Sequence, residues 1–278
     1  MLATLLRVVL SAGAAGAFTL GPPPPAQVRR VVTVAPSLTE LVVALGKGRT
    51  LVGVSRFDEL AEVKALPRVG GWIDPSVEAV VRLKPDLVLV QPGPGNRQPV
   101  EKMAELGVPV LALPMESISD VTQAMRRVGA ALHAEREAEA LSQKLEQTRV
   151  RVRAAAKALG PVRVLFVYGF EPLVVAGPGS FADELLADAG GVNAATGAKS
   201  AYTVYSVERA VMARPELIVD ASDDATRAKD TLAALPGFKA ARWMKIPTQD
   251  LLHPGPRLGE GLEQLFRMVH PEAAAKVR

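Results

Sequence analysis

One stretch, SVEAVVRLKPDLVLV from Ser76 to Val90, decides how the chain folds. A serine opens it as a helix cap, apolar residues follow at helical spacing, and Pro85 ends the helix. The run Leu87–Val90 is typical of a buried strand. The stretch therefore predicts a short helix followed by a strand of a parallel sheet.

The same pattern returns as SVERAVMARPELIVD, from Ser206 to Asp220, and aligns with the first copy without a gap. Two copies indicate an internal duplication, with two lobes built on one plan. Each copy places a glutamate, Glu78 or Glu208, in the first turn of its helix. The helix dipole alone favours an acid there, but the fixed position in both copies also suits docking onto two basic patches of a symmetric partner.

Strands alternate with helices on either side of both copies, which predicts α/β lobes with mostly parallel sheets. Apolar runs mark the other predicted strands, which are Val31–Val34, Leu51–Val54, Val108–Leu113, Val162–Tyr168 and a short strand at Ile246. Ser37–Glu40 has the pattern of a capping box at a helix start. The predicted division is an N-terminal lobe over residues 26–116, connecting helices over 117–160 with one long helix, and a C-terminal lobe over 161–278.

The first 25 residues differ from the rest. An apolar run from Met1 to Leu20 contains the small residues Ala15, Gly16 and Ala17, as a secretory signal does near its cleavage point. Pro22–Pro25 follows as a stiff spacer, so the mature protein is predicted to begin near Ala26. An uncleaved membrane anchor is the alternative.

Composition excludes several classes of function. The 278 residues carry a net charge of +4, and the basic residues are scattered, which does not indicate nucleic-acid binding. Without cysteine there is no disulfide, thiol nucleophile or lipid-modified cysteine. The sequence has no G-x-S-x-G, Walker or G-x-G-x-x-G motif, and its three histidines lie in separate segments, so neither an enzyme nor a histidine metal site is predicted. A hydrolase or lyase, or a scaffold without ligand, is the alternative from another class.

Aromatic residues are few, and four of them are predicted at loops or strand ends: Phe57, Trp72, Tyr168 and Tyr202. Ligands of open α/β sheets bind beyond the carboxyl ends of strands, where flat side chains suit a large ring or chelate. Packing between loop and lobe is the alternative for each. Asp250 and Arg257 flank a polar loop that is predicted to face the same cleft.

At four stretches the sequence resembles the periplasmic binding proteins of metal-chelate ABC importers: VVTVAPSLTE from Val31, GGWIDPSVEAVVRLKPDLVLV from Gly70, YSVERAVMARPELIV from Tyr205 and PGPRLGEGLEQL from Pro254. The resemblance implies two lobes joined by one rigid helix, with the ligand between them. It also implies a monomeric periplasmic protein without a cofactor, whose Glu78 and Glu208 dock onto a dimeric permease with its ATPase subunits.

Among these relatives, the sequence is most similar to the vitamin B12-binding members. By that resemblance Phe57, Trp72, Tyr202 and Asp250 occupy pocket positions, whereas Gln91 and Tyr202 replace tryptophans. A corrinoid is therefore the expected ligand. Haem and iron–siderophores are the alternatives within the same class: haem would need an axial ligand such as Tyr168, Tyr202 or His253, and a siderophore would need basic residues such as Arg56 and Arg257.

Overall fold

The computed structural model describes residues 16–93, 95–198, 200–222, 227–246 and 254–277. These residues form two compact units. The first lobe extends to Met115 and includes Asp120–Glu139, and the second lobe comprises Glu116–Ser119 and everything from Ala140 onward. The segment predicted as connecting helices, 117–160, is thus divided between the lobes, and the boundaries at 26, 117 and 161 stay predictions.

A five-stranded sheet forms the centre of the first lobe. Its strands are β1 (Phe18–Leu20), β2 (Val31–Thr33), β3 (Leu51–Gly53), β4 (Leu87–Val90) and β5 (Val110–Ala112), in the order β1-β5-β4-β2-β3. Strands β2 to β5 are parallel, as predicted, and are buried because helices cover them. Strand β1 was not predicted: it pairs antiparallel with β5, in the segment assigned to the signal and before Ala26.

The helices α1 (Pro36–Ala44), α2 (Val77–Arg82) and α3 (Arg97–Glu105) alternate with strands β2 to β5, and α4 (Ile118–Ala131) and α5 (Glu135–Ala156) follow β5. At 22 residues α5 is about 33 Å long. The predicted capping box at Ser37–Glu40 is wrong. Ala35 is the cap residue without a side-chain bond, because Pro36 occupies the first turn and Ser37 is buried.

The second lobe repeats the parallel plan and adds antiparallel strands. Its strands are β6 (Val162–Phe170), β7 (Leu173–Ala176), β8 (Gly191–Asn193), β9 (Tyr202–Val204), β10 (Leu217–Asp220) and β11 (Arg242–Lys245), in the order β11-β10-β6-β7-β9 with β8 beside β6. Strands β8, β10 and β11 are parallel to their neighbours, whereas β7 and β9 are antiparallel. The helices are α6 (Phe181–Asp188), α7 (Val207–Met212), α8 (Arg227–Ala233) and α9 (Leu258–Val269). Ile246 lies just beyond β11 rather than within it.

The duplicated helices α2 and α7 have the predicted caps. The Ser76 hydroxyl accepts the amide of Ala79, and the Ser206 hydroxyl accepts that of Arg209. Two residues beyond each helix, the residue directly before proline has a positive φ, which is 45° for Lys84 and 44° for Arg214.

The acid after each proline has a structural role. Asp86 Oδ2 accepts the amides of Arg29 and Arg30 at 2.8 and 2.9 Å, and Glu216 Oε2 accepts the amide of Arg163 at 3.0 Å. In each lobe the acid therefore ties the start of one strand to the start of its neighbour. The acid in Lys84-Pro85-Asp86 and in Arg214-Pro215-Glu216 is therefore explained by its hydrogen bonds to a neighbouring strand. The first-turn glutamates of the repeat, Glu78 and Glu208, are not explained by bonds of this kind.

Candidate functional site

Glu78 stands exposed on α2, with 80% of its side chain accessible. One turn further along the helix, Arg82 forms an ion pair with it and is 74% accessible. A surface pair of this kind contributes little to stability because water and salt screen it. The carboxylate nevertheless has a cation beside it in the free protein.

Glu208 has different neighbours at the same place on α7. The Ser206 hydroxyl donates to Glu208 Oε2 at 2.5 Å, and this bond lowers the pKa of the carboxyl. The position that matches Arg82 is Met212, whose side chain is 79% exposed. Among the residues that the structure describes, Glu208 takes part in no ion pair. The two predicted docking glutamates are both exposed, but the residue one turn further along the helix is Arg82 in one lobe and Met212 in the other.

Trp72 is fixed in the first lobe by a hydrogen bond from its indole N–H to the carbonyl of Gln91, 2.7 Å long. The Asn96 side-chain amide donates to the carbonyls of both Trp72 and Gln91, at 2.8 Å each. Gly93 lies so close to the indole ring that a Cβ there would be 2.9 Å from Cζ2. The half-buried ring is therefore held in one orientation, and the predicted residues Trp72 and Gln91 lie together.

Asn96 was missed by sequence reasoning. An asparagine before a helix suggests a cap, yet this one makes no capping bond to α3. Asn96 is 1% exposed, and its amide group donates to one carbonyl in the loop of Trp72 and one in the loop of Gln91. Only the spatial approach of those loops reveals this role, and the local sequence carries no signal for it.

Phe57 presents an exposed ring, 61% accessible, beside the same region of the first lobe. It contacts Gly71, where a Cβ would lie 2.7 Å from the ring, and the guanidinium of Arg56 lies 5.5 Å from its centroid. Arg56 also pairs with Asp74, and its hydrogen bond lowers the pKa of that carboxyl. Since Gly71 precedes Trp72, one short turn positions both predicted aromatic residues.

Asp58, next to Phe57, is a buried carboxylate that sequence reasoning also missed. It is 5% exposed, its Oδ2 accepts the hydroxyl of Thr39 at 3.0 Å, and its Oδ1 has no hydrogen-bond partner. Burial raises the pKa of Asp58 to about 6, although Thr39 and the charge of Arg68 lower it in part.

Two tyrosines lie together in the second lobe. Tyr168 belongs to β6, at the point where the pairing with β7 shifts register, and its ring centroid is 5.3 Å from that of Tyr202 on β9. The expectation that Tyr168 ends a strand is wrong, because β6 continues to Phe170. An irregularity within a strand can redirect a side chain, which is how this residue can reach its neighbour.

The hydroxyl of Tyr168 is buried and makes no hydrogen bond of good geometry, although the hydroxyl of Tyr202 lies close enough to affect its pKa. Burial raises the pKa of Tyr168 well above its ordinary value. Tyr202 is half-exposed, and burial of the rest of its side chain raises its pKa to about 12; the charge of Glu116 adds to the increase, whereas the nearby Tyr168 hydroxyl lowers it in part. Both phenols are therefore neutral at physiological pH.

The remaining predicted residues are Arg257 and Asp250. Arg257 is exposed directly before α9, and its carbonyl accepts the amides of Glu260 and Gly261. Asp250 and the haem-ligand candidate His253 lie outside the described residues.

Known proteins share the sequence pattern and the architecture of this chain. The model of the family described as "Periplasmic binding protein" matches residues 31–246. The chain belongs to this family. A vitamin B12-binding protein of Salmonella paratyphi A is 30% identical over 193 residues, covering 68% of this chain and 71% of the relative.

Two solved structures resemble this periplasmic binding protein along most of its length. The periplasmic heme-binding protein RhuT from Roseiflexus sp. RS-1 is 27% identical with a TM-score of 0.73, covering 90% of this chain and 100% of the other. The vitamin B12-binding protein BtuF of Vibrio cholerae has a TM-score of 0.75 at 21% identity, over 90% and 99% of the chains, and supports the fold alone.

The predicted class, a substrate-binding transport protein with α/β lobes, is confirmed by the family. Within the described ranges, no helix combines the length and the apolar character that crossing a bilayer requires. Nor do the described residues contain a group of three or more His, Asp or Glu side chains placed to hold a metal ion.

Proposed function

We propose that this protein captures a corrinoid in the periplasm and delivers it to an ABC importer. The orientation of Trp72 is the observation that supports this most. Its indole N–H is bonded to the carbonyl of Gln91, Gly93 packs against the ring, and Asn96 holds its backbone, so a flat apolar face is available without loss of side-chain freedom on binding. The curated relatives, which are named vitamin B12-binding proteins, favour a corrinoid.

The neighbouring groups suit a large ligand with a polar periphery. Phe57 offers a second exposed ring, and the cation of Arg56 lies over it. A corrin ring carries amide side chains and an apolar macrocycle, which match donors and aromatic faces respectively. No enzymatic activity is proposed, since transport proteins of this family bind their substrate without converting it.

Haem is the second candidate, because RhuT, a relative of similar fold, is named for it. A tyrosine that coordinates ferric iron does so as a phenolate. The pKa of both Tyr168 and Tyr202 is raised, so deprotonation would have to be driven by the metal against burial and against Glu116. In the ligand-free protein the phenols are neutral, and the buried Tyr168 hydroxyl could then donate to an amide oxygen of a corrinoid.

Replacing Trp72 by alanine should weaken cyanocobalamin binding by about tenfold or more, since burial of an aromatic face contributes on the order of 1.5–3 kcal/mol. Calorimetry with cyanocobalamin, haemin and ferrichrome measures the affinity. Trp72→Phe keeps a ring and should retain more affinity than Trp72→Ala. Ile73→Ala, at an exposed neighbour, serves as the control. Absence of binding to all three chelates would refute the proposed function.

Tyrosine variants distinguish the two ligands. Tyr168→Phe and Tyr202→Phe should each weaken cyanocobalamin binding by no more than about three- to tenfold relative to the wild-type protein, because each removes one neutral hydrogen bond at most. If haem is the ligand, one of these variants should abolish the visible charge-transfer band of ferric iron bound to phenolate. Tight haemin binding that depends on either hydroxyl would favour haem over a corrinoid.

We further propose that an N-terminal signal directs export and that Glu78 and Glu208 dock onto basic patches of the permease. Both carboxylates are exposed and occupy matching positions in the two lobes. The exported protein is expected to act as a monomer with a dimeric permease and its ATPase subunits.

A further inference from the structure

The segment before Ala26 is built into the first lobe. Strand β1 pairs with β5 in a regular antiparallel register, with Phe18 opposite Ala112 and Leu20 opposite Val110. Leu20 is partly buried against the apolar cluster of this lobe, which includes Val110. Residues 18–20 therefore close an edge of the sheet that would otherwise expose the backbone groups of β5.

The turn after β1 fits its surroundings closely. Gly21 has a φ of 75°, and a Cβ at this position would lie 2.5 Å from the carbonyl oxygen of Val108. Only glycine combines that backbone conformation with such an approach. Further along, His133 Nε2 lies 2.7 Å from the carbonyl oxygen of Ala26 and donates to it. The chain is thus held on both sides of the proline spacer.

At Gly16 and Ala17, the two described residues before Phe18, the attachment is slight. The amide of Ala17 makes a single bond of 3.2 Å to the side chain of Gln123, and the ladder with β5 begins only at Phe18. Ala15 and Ala17 are the small residues that signal peptidase requires at the third and first positions before its cut. The end of the cleavable pattern and the start of the paired strand meet at one peptide bond.

We propose that the signal is removed between Ala17 and Phe18, so that the mature chain begins with edge strand β1 rather than near Ala26. The cut hydrolyses that bond with one water molecule, leaving a carboxylate on Ala17 and an amino group on Phe18. This rests on the proposed export, because signal peptidase acts on exported chains.

The test is the mass and N-terminal sequence of the protein recovered from the periplasm of a Gram-negative host that expresses the full chain. A protein beginning at Phe18 is expected, and one beginning at Ala26 or still uncleaved overturns the proposal. Ala17→Arg should block the cut, whereas Ala26→Arg should leave it unchanged. Incubation of the purified full chain with signal peptidase in detergent separates the two proposals. If the purified chain is cut after Ala17 but the chain expressed in cells stays in the cytoplasm, export is refuted and the cleavage site is not. If the chain is exported but cut at a different bond, the cleavage site is refuted and export is not.

Stability measurements test whether β1 packs in solution. The protein starting at Phe18 should melt at a higher temperature than one starting at Ala26. Gly21→Ala should lower the melting temperature by at least about 3 °C more than Gly46→Ala does. Gly46 is a matched control, since its φ is 72° and a Cβ there meets nothing within 4 Å. Equal effects of the two substitutions, or equal stability of the two starts, would contradict the packed strand.

Discussion

Asparagine in place of Asp58 should raise the stability of the first lobe at pH 7.5 by up to about 3 kcal/mol and leave it almost unchanged near pH 4. Burial raises the pKa of the folded carboxyl from 3.8 to about 6, so the folded state binds a proton that the unfolded state has already lost. A raised carboxyl pKa means that stability is greatest at low pH and falls as pH rises from about 4 to about 6. The difference in pKa sets the size of the effect.

The groups around Asp58 define what the substitution changes. Thr39 donates to Oδ2, the amide of Asp58 donates to the carbonyl of Ser55, and the charges of Arg68 and Glu40 act in opposite directions. An asparagine oxygen can accept from Thr39, but its amide group would face the side where Oδ1 has no partner. The observed gain should therefore be below the full value.

Thermal or urea unfolding at a series of pH values measures this effect, followed by the fluorescence of Trp72 in a Trp243→Phe background, because Trp243 belongs to the second lobe. The wild-type stability should fall between pH 4 and pH 6, and Asp58→Asn should remove that slope. Asp74→Asn makes the same change of charge at an exposed carboxyl whose pKa is lowered, so it should keep the slope. A slope that persists in Asp58→Asn would contradict the assignment.

Asp58 also marks a limit of sequence reasoning. In the duplicated stretches, periodicity and capping rules predicted the helices, the strands and the serine caps, because these depend on neighbours in the chain. The bonds from the acids after proline to an adjacent strand were not predicted. The surroundings of Asp58 include Thr39 and Arg68, which lie on other segments of the chain. An acid after a strand is usually solvated, so its sequence context gave no indication of a raised pKa.

Strand β1 was missed for a different reason. Three residues carry too little pattern to predict a strand, and their apolar character merges with the signal before them. Their partner, β5, is far away in the chain. In the same way, Trp72 and Gln91 were identified individually, while Asn96, which holds them, became visible only in three dimensions.

Loss of both docking glutamates, in the double variant Glu78→Ala, Glu208→Ala, should abolish uptake through the permease while leaving cyanocobalamin affinity unchanged. Removing one partner of a buried charge pair at an interface typically reduces affinity strongly, because the other charge stays buried and unpaired. The measurements are ligand binding by calorimetry and uptake with the permease and ATPase subunits in proteoliposomes. Unchanged uptake, or lost ligand binding, would contradict docking.

The single variants should differ, because the carboxylates have different neighbours. Residues four apart on a helix lie on one face, so Arg82 accompanies Glu78 to any interface, as Met212 accompanies Glu208. Arg82 already attracts its glutamate and repels a cationic partner, whereas Met212 offers apolar surface for burial. We therefore expect Glu208→Ala to weaken permease binding by about tenfold or more, and Glu78→Ala by less.

Exchanging the neighbouring residues tests this cause directly. Arg82→Met should strengthen binding to the permease by freeing Glu78 from its ion pair, and Met212→Arg should weaken it by giving Glu208 a competing cation. Affinity for the permease in nanodiscs, measured at two salt concentrations, separates the charge effect from the apolar one because salt screens only the former. If Glu78→Ala and Glu208→Ala weaken permease binding equally, and neither Arg82→Met nor Met212→Arg changes it, the two lobes dock equally and the flanking residues have no effect.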